Sequence, residues 1–295
     1  MKPGRCVSAC LTALTLAAAL TGARAQSTST LGEGDSYAWA GNVGWLELIP
    51  NRPAPGDGVI VSDTCLQGYG WSDGTGWINF GDGTPSNGVR YSNATGTDTG
   101  VNQDGAGNLS GLAWSANTGW INFGWAAPGD ANRPRFDLIT GVFSGYAWSA
   151  NLGWINLNTG VLKVDFVCVP DADHDGISDT WEIKQAEGTS LLTATGDYDH
   201  DGVSDLDEYR ADTSPIDPAD KLDLVNFTIG TTGSSLTWTS RPTRLYRTAH
   251  STDLATWLRS ELIIPDAGLQ TTRNVRHDPG PRRFYRVESA VPLAK

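Results

Sequence analysis

The chain has 295 residues, with 33 acidic side chains against 21 basic ones and a formal net charge of −12, long enough for two or three domains with cores of their own. The acidity is concentrated: residues 171–220 hold 15 acidic and 2 basic side chains, whereas residues 221–295 hold 11 basic and 6 acidic ones. Phosphate would be repelled over the acidic two thirds, so no nucleic-acid partner is expected.

Residues 1–25 read as a secretory signal peptide. Lys2 and Arg5 precede an apolar or small run from Val7 to Leu20, and Ala23-Arg24-Ala25 offers small residues before a cut at Gln26. The run is too short and too rich in small residues for a spanning helix, and no later segment reaches about 18 uninterrupted apolar residues. The expectation is an exported protein without a transmembrane segment, secreted, at the cell surface or in the periplasm.

Residues 26–170 carry one phrase four times. It runs Tyr37-Ala-Trp39-Ala-Gly-Asn42-Val-Gly44-Trp45, Tyr69-Gly-Trp71 to Gly76-Trp77-Ile78-Asn79-Phe80, Leu112-Ala-Trp114-Ser-Ala-Asn117-Thr-Gly119-Trp120-Ile121-Asn122-Phe123 and Tyr146-Ala-Trp148-Ser-Ala-Asn151-Leu-Gly153-Trp154-Ile155-Asn156-Leu157. Each copy keeps two Trp six residues apart, and the first Trp recur at intervals of 32, 43 and 34. Aromatic and β-branched residues flanking a short turn that ends in Gly predict a hairpin, with the Trp meeting across it. Three strands per repeat are expected, and a hairpin that cannot bury its own Trp pair must pack on its neighbours. A propeller, a solenoid and a sandwich all satisfy that requirement. Trp locked at one hairpin position is read as core, leaving Trp125, outside the pattern, as the candidate exposed platform. The insert from Gly81 to Gly107 is rich in Gly, Asn, Thr and Asp and reads as a mobile loop. These phrases resemble the short Gly-Tyr-Ala-Trp-Ser and Gly-Trp-Ile-Asn-Phe repeats of exported bacterial proteins, a resemblance that implies an architecture and no activity.

Beyond the signal peptide the chain has two cysteines, Cys65 and Cys168. An even pair in an exported protein suggests a disulfide; two buried thiols are the alternative. A strand from Val161 to Cys168 then leads into the most acidic segment.

That segment, residues 171–220, contains two loops in phase: Asp171, Asp173, Asp175, Gly176, Asp179 and Glu182, then Asp197, Asp199, Asp201, Gly202, Asp205 and Glu208. Side-chain oxygens fall at positions 1, 3, 5, 9 and 12 and glycine at position 6, with Ile177 or Val203 at position 7. Calcium takes six to eight hard oxygens, among them a carbonyl from position 7 and a bidentate carboxylate from position 12, while the glycine permits the sharp turn. Two calcium ions are therefore expected, one per loop. Each loop runs into a short helix, Thr180 to Ala186 and Leu206 to Ala211, with Trp181 and Tyr209 packed between the loops. His174 and His200, at position 4, should point outward. The segment resembles a bacterial thrombospondin type 3 repeat, whose trailing Thr213-Ser-Pro215-Ile-Asp-Pro218 is also present. The resemblance implies extracellular calcium binding, as a stiff spacer or a cell-adhesion module.

Residues 221–295 alternate with a period of two over six or seven short runs, among them Leu222 to Phe227, Ser235 to Thr239, Leu245 to Ala249, Thr271 to His277 and Phe284 to Ser289. This predicts a small β-sandwich. On the strand rhythm and on Tyr246, Trp257 and Phe284-Tyr285-Arg286 it is similar to fibronectin type III-like modules. The fold class expected for the whole chain is mostly β: a Trp-containing hairpin-repeat domain, a calcium-loop segment with small helices, and a carboxy-terminal sandwich.

The sequence carries no nucleophile elbow, zinc helix or phosphate-cradling loop, and no enzyme is expected. The function it predicts is an exported, calcium-binding structural or adhesive protein whose metal loops rigidify the junction between two β domains. The alternative is a carbohydrate-binding protein using exposed Trp of the repeat domain. Extracellular polysaccharide and cell-surface components are the expected partners.

Overall fold

The computed structural model describes residues 29–50, 58–276 and 282–295, so the leader expected over residues 1–25 lies outside it. Its elements are mostly β, as the sequence predicts, with only two short helices among the described residues. No described helix is long and apolar enough to cross a membrane. The described residues form two compact units, one made of 29–50, 58–102, 109–134 and 142–170, the other of 103–108, 135–141, 171–276 and 282–295.

The strands up to the acidic loops are β1 (Leu31–Ala40), β2 (Gly44–Glu47), β3 (Val59–Val61), β4 (Leu66–Ser72), β5 (Gly76–Gly81), β6 (Val101–Gln103), β7 (Leu109–Ser115), β8 (Gly119–Asn122), β9 (Arg135–Phe136), β10 (Phe143–Ser144), β11 (Tyr146–Ser149), β12 (Gly153–Asn156) and β13 (Leu162–Val164). Each Trp phrase is an antiparallel hairpin: β1–β2, β4–β5, β7–β8 and β11–β12. Gly44, Gly76, Gly119 and Gly153 have φ of 69–80°, the left-handed end of a short turn that a side chain would strain. The hairpins pair in sequence order and β12 returns to β1, closing an eight-stranded barrel. A closed ring leaves no edge among these strands. The architecture is thus neither a propeller, a solenoid nor a sandwich. The third strand expected per repeat comes from the repeat itself in two of the four, where β3 and β6 pair with β4 and β7, while β1 pairs instead with β13, from beyond the fourth hairpin.

Closure decides which face of each hairpin is inside. An eight-stranded barrel has a lumen just wide enough to be filled by side chains. The hairpins fill it by setting a small residue opposite a large one: Ala38 with Leu46, Gly70 with Ile78, Ala113 with Ile121 and Ala147 with Ile155. Leu48, Phe80, Phe123 and Leu157 form the next buried layer, leaving an internal void of only about 20 Å³.

The tryptophans, on the alternate positions, point outward. Trp39, Trp45, Trp114, Trp120, Trp148 and Trp154 are 38–51 % exposed, which corrects the expectation that they form the core. The two indoles of each hairpin do meet across it, with centroids 4.5–5.0 Å apart. Trp125 is not an isolated platform: it is half-buried, meets Trp154 edge-on with ring centroids 4.6 Å apart and donates its Nε1–H to the Tyr146 carbonyl.

The insert is built rather than loose. Tyr91 is buried, its amide donates to Asn102 Oδ1 at 2.8 Å, and Asn102 Nδ2 donates back to the Tyr91 carbonyl at 2.9 Å. Asp98 accepts the Ser86 and Ser92 amides at 3.0 and 2.9 Å. These hydrogen bonds supply the backbone partners that a polar composition alone did not reveal. The Cys65–Cys168 disulfide is not formed: Cys65 is a free, buried thiol, although Ser62 bridges Cys168 through the backbone. Burial, with the Asp63 charge, pushes that thiol up to about 12.

In the second unit, helices α1 (Asp179–Ala186) and α2 (Asp205–Ala211) precede strands β14 (Leu224–Ile229), β15 (Gly233–Thr239), β16 (Leu245–Ser251), β17 (Leu258–Arg259), β18 (Gln270–Arg276) and β19 (Phe284–Ala290). These strands form two three-stranded sheets, β14-β15-β18 and β17-β16-β19. Leu236 and Trp238 from one sheet and Tyr246 from the other make a buried cluster joined by Val275, Tyr285 and Val287.

Candidate metal centre

Both loops fold around their aspartates. Carboxylate oxygens of Asp171, Asp173 and Asp175 lie within 4.8 Å of one another, as do those of Asp197, Asp199 and Asp201. Like charges at such a distance repel, and each loop is held in shape by giving some of those oxygens to backbone amides. Gly176 N–H donates to Asp171 Oδ2 at 3.1 Å and Ile177 N–H to Asp175 Oδ1 at 2.8 Å. The second loop repeats the pattern, Gly202 to Asp197 at 3.0 Å and Val203 to Asp201 at 2.8 Å. Gly176 and Gly202 have φ of 92° and 90°, the turn that position 6 demands. His174 and His200 are exposed, as expected.

The position-12 glutamates sit in the first turns of α1 and α2, whose N-caps are Ser178 and Ser204. Glu182 and Glu208 are both fully buried. Neither carboxylate oxygen of Glu182 has a hydrogen-bond partner, and Glu208 has one only on Oε1, from the Thr213 hydroxyl at 3.3 Å. Asp171 Oδ1, Asp175 Oδ2 and Asp199 Oδ2 are likewise buried without a partner. Burial, then the charges of the neighbouring aspartates, pushes Glu182 and Glu208 up to about 8 and raises Asp175. Buried oxygens without donors are costly unless a cation satisfies them. The residues present therefore fit a divalent cation in each loop.

The position-9 aspartates, expected as ligands, also accept backbone amides. Asp179 accepts the Ala172 amide at 3.0 Å; Asp205 accepts the amides of Thr193 and Tyr198, both at 3.0 Å. They clasp the start of each loop to its helix. Ile177 is fully buried with Trp181, Leu192 and Tyr209, and Trp181 meets Tyr209 edge-on at 5.5 Å, so one apolar cluster joins the two loops. Val203 is half-buried.

Sequence reasoning missed the basic residues that seat this segment on the sheets of its own unit. Arg244, buried, donates through Nε to the Tyr209 and Arg210 carbonyls at 3.2 and 3.1 Å, capping α2. Its guanidinium lies 3.8 Å from Asp212, which also accepts the Trp181 Nε1–H at 3.1 Å. Arg241 pairs with Asp220 and donates to the Asp212 carbonyl at 3.2 Å. Lys221 reaches Asp201 at 3.4 Å, the one cation among the described residues paired with a triad aspartate. The excess of Arg over residues 221–295 was the available signal, but its spacing does not say which Arg turns inward. No family model, curated protein or solved structure matches this chain.

Proposed function

We propose that the protein is an exported calcium-binding structural or adhesive module of the thrombospondin type 3 kind. Two calcium ions, held by Asp171, Asp173, Asp175, Asp179 and Glu182 and by Asp197, Asp199, Asp201, Asp205 and Glu208 with the carbonyls of Ile177 and Val203, rigidify the junction before a fibronectin type III-like sandwich. The observation that carries this reading is the pair of fully buried glutamates, three of whose four carboxylate oxygens lack a donor. An all-oxygen, carboxylate-rich donor set suits a hard cation, and more than four oxygens per loop favours calcium over magnesium with its retained waters. Sites of this extracellular class bind at roughly 10⁻⁴–10⁻³ M, adequate only where external calcium is plentiful. The experiment is chelation: removing divalent cations should lower the melting temperature and open residues 171–220 to protease. An unchanged transition and digestion pattern would refute the reading.

A second reading is favoured by the outward tryptophans. Exposed indoles repeated around a rigid barrel suit binding of an extracellular polysaccharide, which would give the adhesive function its partner. Binding to immobilised polysaccharides, compared between the wild type and variants with Trp replaced by Ala, tests it.

A further inference from the structure

The barrel's four hairpins obey one rule at their seams, and one seam breaks it. Asn79 pairs with Trp114, Asn122 with Trp148 and Asn156 with Trp39, always the same repeat position beside the first Trp of the next hairpin. At the seam between the first two hairpins that position is Glu47, paired with Trp71. The turns obey a second rule. Asn42, Asn117 and Asn151 donate to the carbonyls of Leu152, Thr75 and Thr118 at 3.2, 3.1 and 2.9 Å, so each clamps its turn to that of another hairpin. The second hairpin has Gly74 at this position, where a Cβ would lie 2.7 Å from the Val43 side chain. Its clamp onto the first hairpin is therefore missing. Beside it stands Asp73, where the other copies have Gly41, Ala116 and Ala150.

The two departures frame a single groove of about 640 Å³ on the barrel exterior, lined by Tyr37, Trp45, Glu47, Trp71 and Asp73. That volume lies within the range of about 300–1,000 Å³ usual for small-molecule sites. Tyr37 stands 6.2 Å from Trp45 and edge-on to it, and Trp71 Nε1 donates to Asp73 Oδ1 at 3.4 Å. Aromatic faces offer apolar contact to the C–H faces of a sugar ring, and carboxylates accept hydroxyl or ammonium hydrogens. Among the described residues no Lys or Arg lines the groove, so an acidic ligand would meet two like charges and gain no counter-charge from them.

We propose that this groove is a binding site for a short segment of neutral or amine-bearing glycan, with Glu47 and Asp73 as the polar contacts and Trp45 and Trp71 as the apolar ones. The proposal rests on the carbohydrate-binding reading and narrows it to one seam. The test uses the full chain after removal of the leader and three probes: a hexamer of glucosamine, a hexamer of glucose and a hexamer of galacturonate, titrated by calorimetry. Glu47→Asn with Asp73→Ala restores the residues of the other hairpins, so the variant should keep the wild-type melting temperature. Expected are binding of one or both of the first two hexamers, none of galacturonate, at least a tenfold loss in the double variant, and unchanged binding in Trp120→Ala on the third hairpin. Wild-type affinity in the double variant would overturn the groove while leaving glycan binding intact. Absence of binding to the first two hexamers would overturn both, and preference for galacturonate would overturn the charge argument.

Discussion

The buried glutamates make a quantitative prediction about pH. In the folded, metal-free chain Glu182 and Glu208 ionise near 8 instead of the ordinary 4.5, because burial and the surrounding aspartates oppose the charge. Between those values the folded state keeps protons that the unfolded chain has released, so stability present below pH 4.5 is lost as pH rises toward 8. Linkage makes each side chain cost about 3 kcal/mol at pH 7 and about 1 kcal/mol at pH 5. For both together the change from pH 5 to 7 is about 4–5 kcal/mol, comparable to the whole stability of many domains. Scanning calorimetry in chelator should therefore show one transition falling steeply between pH 5 and 8. Saturating calcium takes the place of the protons and should abolish or reverse that slope. Glu182→Gln with Glu208→Gln, isosteric with the protonated acids, should flatten the slope in chelator, raise the transition at pH 8 and remove the gain from calcium. A transition that stays level across this range in chelator would refute the reasoning.

The outward tryptophans predict an unusual ranking of substitutions. Trp120→Ala should cost about 0.5–1.5 kcal/mol, chiefly its pairing with Trp114, whereas Ile121→Ala beside it should cost about 2–5 kcal/mol because it hollows the lumen; urea unfolding that reverses this order would return the indoles to the core. Asn102→Ala removes both hydrogen bonds to the Tyr91 backbone and should cost about 1–3 kcal/mol, with faster cleavage between residues 82 and 100 as the readout. Unchanged cleavage would mean that the insert is held by other contacts. Cys65, buried with its thiol pushed up to about 12, should resist a maleimide in the native protein at pH 8 and react once unfolded without reductant. Failure to label in the unfolded state would restore the disulfide.

The acidic loops were legible because their parts are local: the oxygens, the glycine and the glutamate in the first turn of the helix lie within twelve residues, and chain geometry brings the aspartate triads together. The hairpins were legible for the same reason, since the turn glycine and the Trp spacing set the register of β1–β2, β4–β5, β7–β8 and β11–β12. Closure was not, because it depends on seams of one or two residue pairs between hairpins, such as Glu47 with Trp71 and Trp148 with Asn122. Once the ring closes, its narrow lumen accepts Ala38 opposite Leu46 and excludes an indole, which inverts the usual reading of Trp as core. The clue in the sequence was the alternation of small and large residues between the indoles. The seat of α2 on Arg244 was invisible because residues more than thirty positions apart form it.

The claim on which the rest stands is that two divalent cations belong to this chain, one in each acidic loop. Calorimetric titration of calcium into the chelator-stripped protein tests it most directly. Two ions per chain are expected, with one lost in Glu182→Gln and the other in Glu208→Gln; no uptake, or uptake indifferent to both substitutions, would show that the loops hold no cation.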